Sequence, residues 1–378
     1  MTRQCAAGMP VPNSTGSHWR SKLDELDDLQ STEVLPETSD VVIIGGGYAG
    51  VATAYHLLVA GSAASITIVE ARGLCSGATG RNGGHVRPDL YGHIPHYIER
   101  DGLDKGVELA EFEIANLAAL KEVVQKENID CDFRLTRVTD VWCNEESVAM
   151  VKGVYDAMVS HNLDYMNDVQ VIAGEDTPGI TGVTNAKVCA TYTAATMSPY
   201  KFIMHLVHIL RKRGVSIQAY TPVNLVRTTE NGTHEVCTAR GTIRAGKIVY
   251  ATNAYTKALL PEYAGNIIPC KGICCHIAVP PGTSAPLLHT SFIVYEPGDP
   301  SVCSYLIQCP DGGIIVGGAK DIFRRYRNQW YDNTDDSCLI DSAKDYYQDF
   351  MQKNFRGWEG SGAAIKHMDR RHGILLRL

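Results

Sequence analysis

Apolar positions along the chain follow two rhythms, and switches between them mark the elements. Nearly every position of Asp40–Ile44 is apolar, which predicts a buried strand, and a glycine turn then leads into a helix over Ala49–Val59. Ser65–Glu70, SITIVE, is a second β-branched strand. Val107, Ala110, Ile114, Leu117 and Leu120 fall on one stripe and predict a helix over Leu103–Lys126. Residues 132–140 and 169–172 read as strands, with a helix over 145–161 between them. Ser198 as N-cap, Pro199 at the first helical position and Gly214 beyond a basic end bound a helix over 199–213. A strand over 215–220 follows. Asn231-Gly232 signals a hairpin between 223–229 and 234–239. Lys247–Thr252, KIVYAT, is a further buried strand. Residues 267–280 and 304–317 are strand-rich, with a turn at Asp311-Gly312-Gly313, and 335–355 reads as a final helix. Residues 1–39 are polar, with Pro10, Pro12 and Pro36 and a short helical pattern around Trp19–Leu29. They are expected to form an arm over the surface. The α/β segments interleave with β-rich stretches, which suggests two domains visited alternately.

Composition narrows the classes. Of 378 residues, 44% are hydrophobic and 20% charged, enough apolar surface to bury a core. The net charge is −7 and no basic block occurs, which argues against nucleic-acid binding. The 12 cysteines are mostly scattered, and the N-terminus has no apolar core of signal-peptide length, so reduced thiols in an intracellular compartment are expected. A cytoplasmic location is the default; Leu376-Arg377-Leu378 gives no secure peroxisomal address. Cys270-x3-Cys274-Cys275-His276 is the one thiol cluster of metal-site appearance. Adjacent cysteines on a strand point to opposite faces, so buried thiols, and no metal, are expected. Val41–Gly61 is apolar enough to pass a crude transmembrane filter. Its three consecutive glycines and His56 fit a strand, a turn and a buried helix instead, so no membrane span is expected.

The chemistry concentrates in two glycine loops. Gly45-x-Gly47-x-x-Gly50 follows a strand and opens a helix, and Glu70 ends the next strand, 25 residues after Gly45. Together these form a dinucleotide-binding βαβ unit. Gly45 permits the tight turn, Gly47 lets backbone approach a pyrophosphate, and Gly50 lets helix pack on strand. Tyr48 and Ala49 start the helix, whose N-terminus offers free N–H groups to phosphate. Glu70 would accept hydrogen bonds from a ribose and would repel a 2′-phosphate. These residues leave FAD and NAD both open. After Glu70, Ala71 and Arg72 lead at once into a second small-residue loop: Ser76, Gly77, Ala78, Thr79, Arg81, Asn82, Gly83, Gly84, His85. Such a nest suits the far end of a longer cofactor.

On DVVIIGGGYAG and SGATGRNGGH the chain resembles the D-amino-acid oxidase / glycine and sarcosine oxidase (DAO) family of FAD-dependent oxidoreductases. Its lead, Pro10–Trp19 followed by Ser31–Pro36, is similar to that of the filamentous-fungal branch. The match is specific over 40–85 and runs in outline from Pro10 to Gly360. The resemblance implies an α/β fold, a Rossmann-like FAD-binding domain with an interleaved antiparallel-sheet substrate domain. The expected division is an arm over 1–39, an FAD-binding domain over 40–128, 190–262 and 352–378, and a substrate domain over 129–189 and 263–351. The resemblance also implies that Ser76–Gly83 line the pyrophosphate and the isoalloxazine edge, that Val223 contacts adenine through its backbone, and that Ala251–Ala254, including Asn253, touch the dinucleotide.

The implied reaction is hydride transfer from a small amine or amino acid to flavin. Imine hydrolysis and reoxidation by O2 to H2O2 would follow, and no side-chain base is strictly required. His85 is the candidate catalytic residue. Lys271 and Lys320 are candidates for favouring reaction with O2, and Tyr305 for facing the pocket. No arginine stands out as a clamp for a substrate carboxylate. One departure is evident: after Trp358-Glu359-Gly360 the tail SGAAIKHMDRRHGILLRL lacks the family's Asp-x-x-Pro turn and glycine-rich strand–helix junction. A shortened or replaced C-terminus is therefore expected. Two rival readings stand beside amine oxidation. One is flavin-dependent oxidation of a CH–OH group in a sugar, polyol or secondary-metabolite intermediate. The other is a non-catalytic flavoprotein homologue.

Overall fold

A computed structural model describes residues 8–295 and 302–366, and the backbone of 373–377. In chain order the elements are β1 Thr38–Ile44, α1 Tyr48–Val59, β2 Ile66–Val69, β3 His85–Val86, α2 Ile94–Asp101, α3 Leu103–Lys126, β4 Arg134–Trp142, α4 Glu146–Ser160, β5 Gln170–Ala173, α5 Thr177–Thr181, β6 Val188–Thr196 and α6 Pro199–Lys212. Then follow β7 Ser216–Gln218, β8 Val223–Thr228, β9 His234–Thr238, β10 Gly241–Tyr250, β11 Cys270–Ala278, β12 Ser291–Tyr295, β13 Cys303–Gln308, β14 Ile314–Gly318, α7 Lys320–Phe323, α8 Arg327–Trp330, α9 Phe350–Asn354, β15 Ala364–Ile365 and β16 Gly373–Arg377.

The strands form two sheets. The first has the order β7-β2-β1-β10-β9-β8, with β1 parallel to both β2 and β10. Because its central strand is covered on both faces, β1 is apolar on both. Ile43 packs with Val51, Tyr55, Ile203 and Val207 under α1 and α6. Val42 and Ile44 pack with Val223, Val236 and Ile243 on the other side. The Asn231-Gly232 hairpin joins β8 to β9 as its turn signal required, with Gly232 at φ +80°. Ser198 Oγ accepts from Lys201 N–H at 3.4 Å and caps α6.

The second sheet has ten strands in the order β15-β11-β14-β13-β12-β4-β6-β3, with β16 beside β11 and β5 beside β6. It is antiparallel except where β12 meets β4. Neighbouring cysteines of β11 do point apart: Cys275 joins the core around Phe292 and Trp358, whereas Cys274 packs with Ile307, Cys309 and Ile315. Val41–Gly61 divides into β1, a turn and α1, and among the described residues no helix is long and apolar enough to cross a membrane.

Several expectations fail. Residues 335–355 are not one helix: they hold a 3₁₀ turn at Asp341–Ala343 and the short α9. Asp349 takes a left-handed φ of +59°, and Asp336 is buried in an ion pair, so the apolar spacing there reflects loop aromatics such as Tyr347 and Phe350 packed into the core. The pattern around 19–29 forms turns, and the arm is embedded, with Leu26 and Asp27 buried. β3, the whole of β6, and β15 with β16 belong to the second sheet, not to the Rossmann-like sheet. β6 runs into the Ser198 cap without a linker, so no composition change marks the crossing.

Candidate dinucleotide and substrate site

The β1–α1 turn passes under the end of β10. Gly45 has φ +117°, and a Cβ there would lie 2.4 Å from the Ala251 carbonyl oxygen, so no other residue fits. Gly45 N–H donates to Val69 O and Ala251 N–H to Ile44 O, each at 2.8 Å, which fixes the three strand ends together. A Cβ on Gly50 would sit 2.0 Å from Gly45 O; Gly50 supports the turn from behind and does not line the crevice. The Glu70 carboxylate accepts from Gly46 N–H at 2.7 Å and from Arg72 N–H at 2.9 Å. Burial nevertheless pushes its pKa up, against these bonds. The second loop closes on the first helix: Tyr48 N–H donates to Thr79 Oγ1 at 2.8 Å.

Between the loops lies a cavity of about 820 Å³, at the upper end of small-molecule sites. Gly45, Gly47, Tyr48, Ala49, Glu70 and Ala71 form one wall. Ser76, Gly77, Ala78, Thr79 and Asn82 form a second, and Val223, Ala251 and Asn253 a third. Sequence reasoning missed Tyr255, Leu259, Leu260 and Tyr263 at the far wall, together with Met9 and Pro10 of the arm. For the first four, only their position after KIVYAT could have drawn attention to them.

The cavity wall offers polar atoms without partners. The Ser76 hydroxyl is buried without a hydrogen-bond partner, and so is that of Tyr255; both residues line the cavity. Buried polar atoms left so are uncommon and mark places where a ligand or water completes the bonding. Gly77 adds a cradle, since nothing lies within 4 Å of where its Cβ would be. These features suit FAD, with phosphate oxygens at the two loops and ribose at Glu70.

Besides Gly50, five predicted positions lie outside the large cavity. Arg72 pairs with Asp336 through two bonds of 3.0 Å. Arg81 Nε donates to Ser76 O at 2.9 Å, and its other nitrogens bind Thr15, so it caps the loop and anchors the arm. Gly83 is packed against Tyr305, 2.6 Å from a Cβ position, and Gly84 (φ +73°) against Met197 O and Trp19. None of these four lines the large cavity; their smallness or charge serves packing between arm, loop and second sheet. His85 is the fifth. Its ring stands edge-on to Tyr305 at 5.9 Å, and it lines a second cavity.

That cavity, about 330 Å³, shares Tyr48 and Asn82 with the first. Burial, and then the charge of Arg87, lower the His85 pKa to about 3, so its imidazole is neutral. Arg87, also in the wall, was not singled out from sequence. Its Nε donates to Tyr192 Oη at 2.6 Å and Nη2 to Asp140 Oδ2 at 3.3 Å, while Tyr91 Oη donates to the same Asp140 oxygen at 2.6 Å. Burial raises the Asp140 pKa, and Arg87 only partly offsets it. Lys271 is buried, contrary to the exposed position a lysine usually takes, and donates to Cys338 O at 3.1 Å. Lys320 is exposed at the start of α7. Neither lysine lines either cavity.

The fold and the two glycine loops are those of a dinucleotide-binding protein, and comparison with known proteins supplies the family. The profile of DAO, FAD dependent oxidoreductase, matches residues 40–372, so the chain belongs to that family. The gamma-glutamylputrescine oxidoreductase of Escherichia coli is 26% identical over 238 residues, 62% of this chain and 53% of that one. Sarcosine oxidase subunit beta of Rhodobacter capsulatus is 24% identical over 299 residues, 77% and 67% of the two chains. The chain spans about half the length of the curated relatives it matches in Escherichia coli and Haemophilus influenzae. Among solved structures, an insertion-deleted L-amino acid deaminase from Proteus vulgaris superposes with TM-score 0.66 at 17% identity, covering 98% of this chain and 84% of that one. Glycine oxidase from Geobacillus kaustophilus gives 0.56 at 20% identity, covering 75% and 72%. These likenesses establish the shared fold.

Proposed function

We propose that the chain binds FAD in the large cavity and oxidises a C–H bond next to nitrogen in a small amine or amino acid, with O2 as the acceptor that yields H2O2. The observation that carries this reading is the common wall of the two cavities at Tyr48 and Asn82, which sets the large cavity beside a small one. Bound FAD supplies the hydride acceptor. Gly45–Ala49 and Ser76–Thr79 would hold the phosphates, Glu70 and Ala71 the adenosine ribose, and Val223 the adenine; Ala251 and Asn253 close the wall. The relatives named for gamma-glutamylputrescine and sarcosine support an amine substrate.

In the second cavity the neutral His85 ring can accept a hydrogen bond from a substrate amine, and the burial that keeps the ring uncharged disfavours a charged ammonium beside it. Arg87 is held on one side by Asp140 and Tyr192, and its Nη1 has no partner among the described residues. That edge suits a substrate carboxylate. The lead Pro10–Trp19 supports membership of the filamentous-fungal branch. The test is a visible spectrum of purified protein followed by anaerobic additions. Bleaching by amines or amino acids, with H2O2 on readmitting air, supports the proposal. Bleaching by polyols or sugars alone would move the reaction to CH–OH, and a colourless protein that takes up no FAD would remove it.

A further inference from the structure

A second constellation lies away from both cavities, where the arm crosses the second sheet. His18 comes from the arm, His276 from β11, and Asp311 from the β13–β14 turn. One ligand-capable atom from each lies within 4.8 Å of the others. His276 is only 6% exposed, and neither of its ring nitrogens has a hydrogen-bond partner. His18 does not supply one: the two rings stack, with centroids 3.9 Å apart and planes 22° from parallel.

The turn is shaped to this ring. Asp311 Oδ1 accepts from Gly313 N–H at 3.0 Å, which orients the carboxylate and leaves Oδ2 facing His276 Nε2 at 3.7 Å. Gly313 has no room for a side chain, since a Cβ would lie 2.2 Å from His276 Nε2. A separation of 3.7 Å is too long for a hydrogen bond. It exceeds by about 0.3 Å the edge, about 3.3–3.4 Å, of a tetrahedron built on metal–ligand bonds of about 2.0–2.1 Å, so a small approach of the two side chains would complete the geometry.

We propose that His18, His276 and Asp311 form a binding site for a divalent cation of the zinc class, which clips the N-terminal arm to the second sheet. Two imidazoles and one carboxylate suit Zn2+ better than Mg2+ or Ca2+, which prefer all-oxygen sets. Burial favours the neutral imidazole that ligates. Asp311 is exposed, so the fourth position opens on solvent. Stacked rings have near-parallel lone pairs, so ligation requires the 22° angle to open. Lys366, whose charge reaches both rings, opposes the cation; it is exposed and free to turn outward. The Cys270–His276 cluster was expected to hold no metal; the site proposed here takes His276 from it and neither neighbouring cysteine.

The test is calorimetric titration of the chelator-stripped full chain with Zn2+, and with Co2+ for its visible absorption. One equivalent is expected, weakened about tenfold or more in both His18→Ala and Asp311→Asn. Asp311→Asn retains the Oδ1 acceptor for Gly313, so the turn survives, and its metal-free melting curve should match that of the parent. Absence of stoichiometric Zn2+ binding, or an affinity that either substitution leaves unchanged, overturns the proposal.

Discussion

Arg72 and Asp336, 264 residues apart in sequence, face each other through two N–H···O bonds of 3.0 Å. The pair is sealed from solvent, with the Asp336 side chain fully buried. It ties the loop after Glu70 to a segment beyond the second sheet's last hairpin, and Thr15 N–H, donating to Asp336 O at 2.7 Å, brings in the arm. Breaking such a pair from one side leaves a buried charge without compensation. Asp336→Ala should therefore cost about 3–5 kcal/mol in urea unfolding. The double variant Arg72→Met/Asp336→Leu removes both charges of the pair and should recover part of that loss, since buried Arg81, 4.0 Å from Asp336, then has no counter-charge. A loss under about 1 kcal/mol in the single variant would show that the pair does not hold these segments together.

Two glycines of the same motif region separate fold from ligand. At Gly50 a methyl group would collide with Gly45 O, so Gly50→Ala should unfold the turn and lower the melting temperature of the apoprotein by many degrees. At Gly77 a methyl group meets nothing, and φ of −82° lies outside the left-handed region. Gly77→Ala should leave the apoprotein melting curve within about 0.5 kcal/mol of the parent. If the loop cradles phosphate, it should still weaken FAD binding by about tenfold, a cost near 1.4 kcal/mol for a methyl in the ligand's path. A fluorescence titration with FAD checks this. Unchanged affinity in Gly77→Ala would move the cofactor away from this loop.

What could be read from sequence was what local periodicity and backbone chemistry dictate. β1, α1 and β2 have one core face each way and a turn only glycine allows; α6 has its cap, its proline and its terminal glycine. The cavity's near walls followed directly, because motif residues and wall residues are there the same. The contacts of Arg81 and Gly84 were hidden because they are long-range. The guanidinium reaches Thr15, and the glycine yields space to Trp19, neither of which spacing within the loop can reveal. Residues 335–355 failed for a related reason. Their aromatics repeat at helical intervals, but Asp336 and Asp349 are committed to a buried ion pair and a left-handed turn. Arg87 was overlooked because its partners, Asp140 and Tyr192, lie on strands about fifty and one hundred residues further on.

His85 sets a pH dependence whose sign is fixed by its environment. Its folded pKa is lowered from 6.5 to about 3, so between those values the unfolded chain holds the proton that the folded one refuses. Stability from this group is full above pH 6.5 and is lost as pH falls through that window, at up to about 1.4 kcal/mol per pH unit. Urea midpoints measured from about pH 7 down to 4 should fall more steeply for the parent than for His85→Gln. For the same reason the oxidation rate should show no imidazole limb between about pH 5 and 8. A limb there that vanishes in His85→Gln would mean the ring titrates near its ordinary value.

Trp19 carries the arm's influence into the site. Its indole N–H donates to Asn82 O at 2.7 Å. Asn82 in turn holds the loop: its Oδ1 accepts from Gly84 N–H at 2.8 Å and its Nδ2 donates to Thr79 O at 2.9 Å. Because Asn82 lies in the walls of both cavities, slackening it from behind should act on both at once. Trp19→Phe retains an aromatic ring but loses the donor, at a cost of about 0.5–1.5 kcal/mol. FAD affinity should fall by about threefold to tenfold, and the substrate concentration for half-maximal bleaching should rise with it. Trp19→Ala also opens a gap beside Gly84 and should lose about 3–5 kcal/mol of stability. If Trp19→Phe loses stability yet binds FAD and substrate as the parent does, the arm is a brace for the fold alone.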